Sequence, residues 1–320
     1  MSGVTITAGW SFSGGITITE APEVPSVNTA SWFAGGTPGS GRLSTVNRIT
    51  YATDTDTASV RGPLSVAHTD FAAAGKSTDG WFGGGYSPGT TSRVDRITYA
   101  TDTDTSSVRG PLNAARYALA ATGNTTDAWF GGGAPSSQTT VARITYATDT
   151  ATASVRGPLS SARRFLAAAG NETDGWFGGG YGAGALRSTV DRITYTTDTA
   201  TASVRGSLSS VRQKFAGAGN SDYGWFGGGY NAGNRSIVDR ITYATDTATA
   251  SVRGPLSLAR INLSAAGNTT DGWFSGGYGG GFRSTVDRIT YATDTATASV
   301  RGPLSAAAAR TAAASNISLA

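Results

Sequence analysis

Few residues in this chain could carry covalent or metal chemistry. Its 320 residues include one histidine, His68, and no cysteine. Catalytic triads, thiol nucleophiles and zinc sites depend on these two residue types. The composition therefore argues against a triad, a histidine-based metal site and thiol catalysis. It predicts a protein that is not an enzyme, with no cofactor and no metal.

Two pairs of aspartates have the spacing of a fragment of a calcium loop. They are Asp54-Thr55-Asp56 and Asp102-Thr103-Asp104, with carboxylates at alternate positions. Four further copies of the segment have Ala in place of the second Asp. A capped turn accounts for all six copies, so we interpret them as turns and not as calcium ligands.

Tyrosines and arginines in the variable segments of the chain are the candidates for ligand binding. Six segments that follow a double glycine differ in length and sequence, whereas the other turns barely vary. Tyrosine offers a flat amphipathic surface and arginine a planar donor, which suits a sugar or an acidic polymer. Drift of surface loops is the alternative explanation. The candidates are Tyr86, Arg93, Tyr181, Arg187, Tyr230, Arg235, Tyr278 and Arg283, with Tyr117, Arg164, Lys214 and Arg310 ahead of alanine-rich segments.

An internal repeat positions these candidates. A Trp-Phe-Gly-Gly-like unit followed by Arg-Ile-Thr-Tyr occurs six times, and its leading tryptophans lie 47 to 49 residues apart. Each repeat divides into four β segments, which in one copy are 163–169, 176–181, 190–197 and 201–205. A helix over 162–169 is the alternative, which we set aside because the segment is short and bounded by glycine turns.

The repeat resembles the kelch motif over roughly residues 31–320. The resemblance rests on a double glycine that ends the second strand, a Tyr about a dozen residues later and an Arg that opens the next first strand. The double glycines are Gly35-Gly36, Gly84-Gly85, Gly132-Gly133, Gly179-Gly180, Gly228-Gly229 and Gly276-Gly277. The fourth-strand Trp of the family is missing, and Trp-Phe instead begins the second strand. The resemblance implies four-stranded propeller blades, without the copper-binding histidines of kelch-fold oxidases.

The ends of the chain predict how the ring closes. The first copy begins at Trp32 without an alanine-rich strand, and the last ends with a surplus alanine-rich segment. We predict an all-β, six-bladed kelch-like β-propeller over 28–320, with four antiparallel strands per blade. Residues 307–316 would supply the innermost strand of the first blade. Trp176 and Phe177 should contact the two neighbouring blades, and Arg192 should stack on or bond to the adjacent blade rather than contact a ligand.

Residues 1–27 differ from the repeats. Apolar residues alternate with threonines at 4–7 and 16–19 around Gly14-Gly15, which indicates a β-hairpin within 4–20, followed by a stiff linker. We expect this segment to serve in anchoring or oligomerisation, because an isolated hairpin is marginally stable.

The charge and hydropathy of the chain limit the kinds of partner that we expect it to bind. The net charge of +4 comes mostly from arginines at repeat positions, which argues against a nucleic-acid partner. No apolar run approaches a membrane span, and the first residues lack the pattern of a secretory signal.

The near-identical Thr/Gly/Ala-rich repeats resemble virion appendage proteins of tailed phages, marine ones in particular. This implies a virion-associated or extracellular module with a glycan or protein partner, with residues 4–20 contacting other virion proteins. The alternative is a cytoplasmic kelch-type adaptor.

Overall fold

The computed structural model describes residues 29–316, which form six four-stranded antiparallel sheets. The sheets are the blades of a closed β-propeller, so the predicted all-β class, the six blades and the four antiparallel strands per blade are confirmed. The predicted hairpin at 4–20 and its linker lie outside the described residues. Blades 1 to 6 are numbered here by their tryptophans, which are Trp32, Trp81, Trp129, Trp176, Trp225 and Trp273.

Each blade runs from an innermost strand at the axis to an outermost strand at the rim. In the order of blades 1 to 6, the innermost strands are Ala312–Ser315, Ala72–Gly75, Ala120–Gly123, Ala167–Gly170, Ala216–Gly219 and Ser264–Gly267. The second strands are Ala30–Ala34, Asp79–Gly83, Asp127–Gly131, Asp174–Gly182, Tyr223–Gly227 and Asp271–Ser275. The third strands are Val46–Thr50, Val94–Thr98, Val141–Thr145, Ala185–Thr194, Val238–Thr242 and Val286–Thr290. The outermost strands are Ser59–Arg61, Ser107–Arg109, Ser154–Arg156, Ser203–Arg205, Ser251–Arg253 and Ser299–Arg301.

The last strand of the chain closes the ring, as predicted. Ala312–Ser315 pairs antiparallel with Ala30–Ala34, and Trp32 lies opposite Ala314. The strand is shorter than the predicted 307–316, because Arg310 has a left-handed backbone (φ +62°) that interrupts the extended chain. The same applies in blade 4, where the strand begins at Ala167 and not at 163. The alternative of a helix over 162–169 is wrong.

The third strand also ends earlier than predicted. It stops at the threonine of the Ile-Thr-Tyr sequence, and a single 3-10 turn follows it in every blade. These turns are Tyr51–Thr53, Tyr99–Thr101, Tyr146–Thr148, Tyr195–Thr197, Tyr243–Thr245 and Tyr291–Thr293. Each turn places its tyrosine ring against the preceding blade. No helix among residues 29–316 is long and apolar enough to cross a membrane.

Adjacent blades are joined by a clamp built from the repeated tryptophan. In blade 4, Trp176 stacks on Tyr243 of blade 5 with ring centroids 3.7 Å apart, and its indole N–H donates to Asp246 at 2.9 Å. Arg192 and Arg205 of blade 4 approach the same carboxylate at 3.2 and 3.4 Å. The predicted bond from Arg192 to the adjacent blade is therefore confirmed.

The phenylalanine after each tryptophan faces the other way. A Cβ added at Gly131 of blade 3 would lie 2.8 Å from Cε1 of Phe177, so this ring fills the space that the glycine leaves open. Trp176 and Phe177 therefore contact opposite neighbours, as alternation along a strand predicts.

The clamp also accounts for the aspartates of the Asp-Thr turns. Their first aspartate is buried and receives the indole N–H of the preceding blade in all six junctions. These carboxylates are Asp54, Asp102, Asp149, Asp198, Asp246 and Asp294. The second aspartates, Asp56 and Asp104, are exposed. Within residues 29–316, no group of three or more His, Cys, Asp or Glu side chains could hold a metal ion.

A glycine after each outermost strand completes the junction, and the sequence analysis missed its role. The N–H of Gly206 donates to the carbonyl oxygen of Asp246 at 2.7 Å. A Cβ at Gly206 would lie 1.9 Å from the carbonyl oxygen of Ala248. The residue must be glycine because the turn of the next blade packs directly on its backbone.

Candidate functional site: the variable face

The variable segments lie on one face of the propeller, together with the residues that lead into the innermost strands. Bridges join the two sets, such as Tyr86 with Thr69 and Tyr181 with Arg164. We call this the variable face. The Asp-Thr turns and 3-10 turns lie on the opposite side, which we call the turn face. In blade 4 the variable segment is itself a hairpin, because strands Asp174–Gly182 and Ala185–Thr194 are extended.

Six left-handed residues encircle the axis on the variable face. Their φ angles lie between +55° and +62°, and each lies two residues before an innermost strand. The backbone N–H of each donates to the carbonyl oxygen of its counterpart in the preceding blade, for example Lys214 to Phe165 at 2.9 Å. The N–H of Asp70 donates to Arg310 at 3.1 Å and completes the circle. We call these residues the axial ring: Asp70, Ala118, Phe165, Lys214, Asn262 and Arg310.

The four candidates predicted ahead of the innermost strands do not occupy equivalent positions in their repeats. Lys214 and Arg310 belong to the ring, whereas Tyr117 and Arg164 precede it by one residue. Their ring neighbours are Ala118 and Phe165. An alignment of the copies on the innermost strand shows the offset. The residue types of Ala118, Phe165, Lys214 and Arg310 do not indicate a left-handed backbone.

A depression of about 460 Å³ lies beside the axial ring, over blades 1 to 3. Its walls include Tyr86 and Tyr117, whose rings meet edge to face with centroids 6.0 Å apart. The guanidinium of Arg42 lies 4.8 Å from the centroid of the Tyr86 ring. Asp70 and Arg310 of the axial ring also line it. We call this the tyrosine depression; it brings together Tyr86, Tyr117 and Arg310 of the predicted candidates.

Charged groups surround the axis. Arg310 and Asp70 form an ion pair at 3.3 Å, in which the Asp70 side chain is 9% exposed and that of Arg310 is 46% exposed. Burial raises the pKa of Asp70, although Arg310 opposes the shift. The ammonium of Lys214 lies 5.1 Å from the Phe165 ring, and burial together with the nearby Arg310 lowers the pKa of Lys214.

Arg164 lies near the same aromatic surface. Its guanidinium is 5.7 Å from the Phe165 ring and 5.4 Å from the Tyr181 ring, and it donates to the carbonyl oxygen of Pro135. Arg164, Lys214 and Arg310 thus give the axis three cations, beside the single carboxylate of Asp70 in the ring.

The other predicted arginines contact the protein framework. Arg187, Arg235 and Arg283 each donate to a carbonyl oxygen of their own variable segment. Arg93 donates to the Ser65 hydroxyl at 2.8 Å and lies 3.6 Å from Asp95. These contacts shape the segments, and they distribute the four guanidinium groups around the face.

Three predicted tyrosines lie on other blades, outside the tyrosine depression. Tyr230 and Tyr278 are 39% and 40% exposed. Tyr278 packs edge to face against Phe282, and Tyr181 lies beneath Arg164. The sequence analysis missed Arg42 and Phe165, since their roles depend on contacts between different blades.

A comparison with models of protein families found no match, and a comparison with curated proteins found none either. Function is therefore inferred from the residues of the variable face.

Proposed function

We propose that this chain is a non-enzymatic, kelch-type propeller that binds a glycan through its variable face. The observation that carries the proposal is the tyrosine depression beside the axial ring. Its volume of about 460 Å³ lies within the range of small-molecule sites, roughly 300–1,000 Å³. It combines aromatic walls with charged groups at its edge, which is the chemistry that a sugar ring requires.

The two tyrosines can accept a sugar in a defined orientation. Their interplanar angle of 74° presents the face of one ring beside the edge of the other. Apolar C–H groups of a sugar pack on such surfaces, while its hydroxyls bond to polar groups at the edge. Arg42 and Arg310 supply donors and Asp70 supplies an acceptor. The closed ring of blades holds these groups in fixed positions, as recognition requires.

The first and last described residues lie on one face of the propeller. The carbonyl oxygen of Thr29 accepts from Tyr51, the first residue of a turn-face 3-10 turn. The Asn316 side chain accepts from the N–H of Ala30 at 3.0 Å. The described chain therefore begins and ends at the turn face. In the proposal, residues 4–20 attach the propeller to a virion or another extracellular assembly, and the variable face meets the ligand.

Glycan binding is tested with purified full-length protein on a glycan array, followed by calorimetry with a bound sugar. We expect Tyr86→Ala and Tyr117→Ala each to weaken binding about tenfold, because each removes one aromatic wall. Tyr223→Ala is the matched control, since Tyr223 packs near Arg240 at the turn face and should leave the affinity unchanged.

The same experiment separates the alternative function. If no glycan binds and one protein is recovered in a stoichiometric complex that depends on Tyr86, the chain is a protein-binding adaptor. Equal losses in the Tyr86 and Tyr223 variants would show that the tyrosine depression is not the site.

A further inference from the structure

The axial ring combines one backbone conformation with side chains of different chemistry. A left-handed backbone suits glycine, asparagine and aspartate, so Asn262 and Asp70 adopt it readily. Ala118, Phe165, Lys214 and Arg310 adopt it at a cost that glycine would avoid. This conformation alone would favour glycine, so it does not account for the charged side chains of Lys214 and Arg310.

The charges of the ring are unbalanced toward the positive. The half-exposed guanidinium of Arg310 has five N–H donors, and Asp70 takes one through Nη1. Lys214 lies two positions from Arg310 around the ring, with Asn262 between them. Burial, and after it the charge of Arg310, lowers the pKa of Lys214, whereas Asp70 raises it. An anion bound between Arg310 and Lys214 would reduce the repulsion between the two cations.

Arg310 connects the ring to the tyrosine depression, because it belongs to both. A sugar packed on Tyr86 and Tyr117 therefore has the guanidinium of Arg310 at its edge. A planar carboxylate matches the fork of an arginine better than a spherical ion does. A carboxylate attached to that sugar would meet Arg310, and Lys214, whose ammonium lies over the Phe165 ring, is the other cation of the axial ring.

We infer that the axial ring binds the carboxylate of an acidic sugar, such as a uronic acid residue in a polysaccharide, through Arg310 and Lys214. This inference rests on the proposed glycan binding and names its ligand class. It assigns the tyrosine depression to the sugar ring and the axial ring to the charge.

Asparagine substitutions test the inference without disturbing the backbone, since Asn262 already occupies one ring position. The probes are a hexamer of galacturonic acid and a neutral galactose hexamer, measured by calorimetry on the full chain. Arg310→Asn and Lys214→Asn should each weaken galacturonate binding about tenfold, as loss of a charge-assisted hydrogen bond does. Binding of the neutral hexamer should not change in Lys214→Asn, because Lys214 does not line the tyrosine depression. Lys76→Asn is the control, because it removes a cation near Trp81 at the turn face, and it should match the unmodified protein.

Two further measurements sharpen the test. Asp70→Asn should strengthen galacturonate binding, because it removes a competing carboxylate from Arg310. In the unmodified protein, added sodium chloride should weaken binding of the galacturonate but not of the neutral hexamer. This measurement does not depend on the folding of any variant.

Each outcome decides between the two proposals. Equal affinity for both hexamers, without salt dependence, would overturn the inference and leave glycan binding intact. Tighter binding of an acidic peptide than of galacturonate would also overturn it. No binding of any carbohydrate would refute both proposals.

Discussion

The buried arginine side chains beneath the variable face have different partners in different blades. In blades 4 to 6 an arginine pairs with an aspartate of the third strand at 2.6–3.0 Å; the pairs are Arg163–Asp191, Arg212–Asp239 and Arg260–Asp287. In blade 3, Ala142 replaces the aspartate opposite Arg116. This guanidinium donates to the carbonyl oxygens of Gly132 and Thr140, and burial lowers the pKa of Arg116 to about 10.

Rebuilding the missing pair should stabilise the protein. Asn113 occupies the position of Ser160, which donates to Asp191 in blade 4. Within the described residues, the buried Oδ1 of Asn113 has no hydrogen-bond partner. Asn113→Ser combined with Ala142→Asp would recreate the blade 4 cluster. We expect an increase of about 1–3 kcal/mol in the free energy of unfolding, because a buried cation gains a partner. Urea denaturation measures it.

A double-mutant cycle provides the control for this prediction. In an Arg116→Met background, the same two substitutions should lower stability, since the new aspartate would then be buried without a cation. A stabilisation of similar size in both backgrounds would show that the gain does not come from the ion pair.

The element scale shows what the sequence could predict. Periodic spacing, glycine pairs and the mismatch of the chain ends sufficed for six blades and for the closing strand. The starts of the innermost strands could not be predicted, because Phe165 and Arg310 adopt a left-handed backbone imposed by hydrogen bonds between blades. The tyrosine depression could not be predicted from the sequence for a related reason. Arg42 of blade 1 reaches Tyr86 of blade 2, and such contacts follow from loop geometry, not from the spacing of residues.

Removal of the closing strand should destabilise the whole ring. A chain that ends at Ser305 lacks Ala312–Ser315 and exposes the edge of Ala30–Ala34. We expect the free energy of unfolding to fall by more than about 4 kcal/mol, since both the ladder and the packing of Trp32 are lost. The control ends at Asn316 and keeps the strand. Thermal denaturation of the two chains provides the comparison, and equal melting temperatures would contradict closure by this strand.

At the scale of the whole molecule, stacked rings link all six blades. Each clamp tryptophan stacks on a tyrosine of the next blade with ring centroids 3.7–3.9 Å apart. Burial raises the pKa of all six tyrosines, which are Tyr51, Tyr99, Tyr146, Tyr195, Tyr243 and Tyr291. Half of the 12 tyrosines therefore resist ionisation because they lie in the junctions between blades.

These six tyrosines should make the protein unfold cooperatively at alkaline pH. Below about pH 10 the phenols are protonated in both the folded and the unfolded chain, so the stability of the fold has its full value there. Above about pH 10 the unfolded chain ionises, and each tyrosine then lowers stability by about 1.4 kcal/mol per pH unit. Absorbance of the six phenolates at 295 nm should therefore rise together with the loss of tryptophan fluorescence of the folded state. Tyr243→Phe keeps the stack on Trp176 but removes one ionisable group, so it should make the decline with pH shallower. Ionisation of these tyrosines in the folded protein would contradict the prediction.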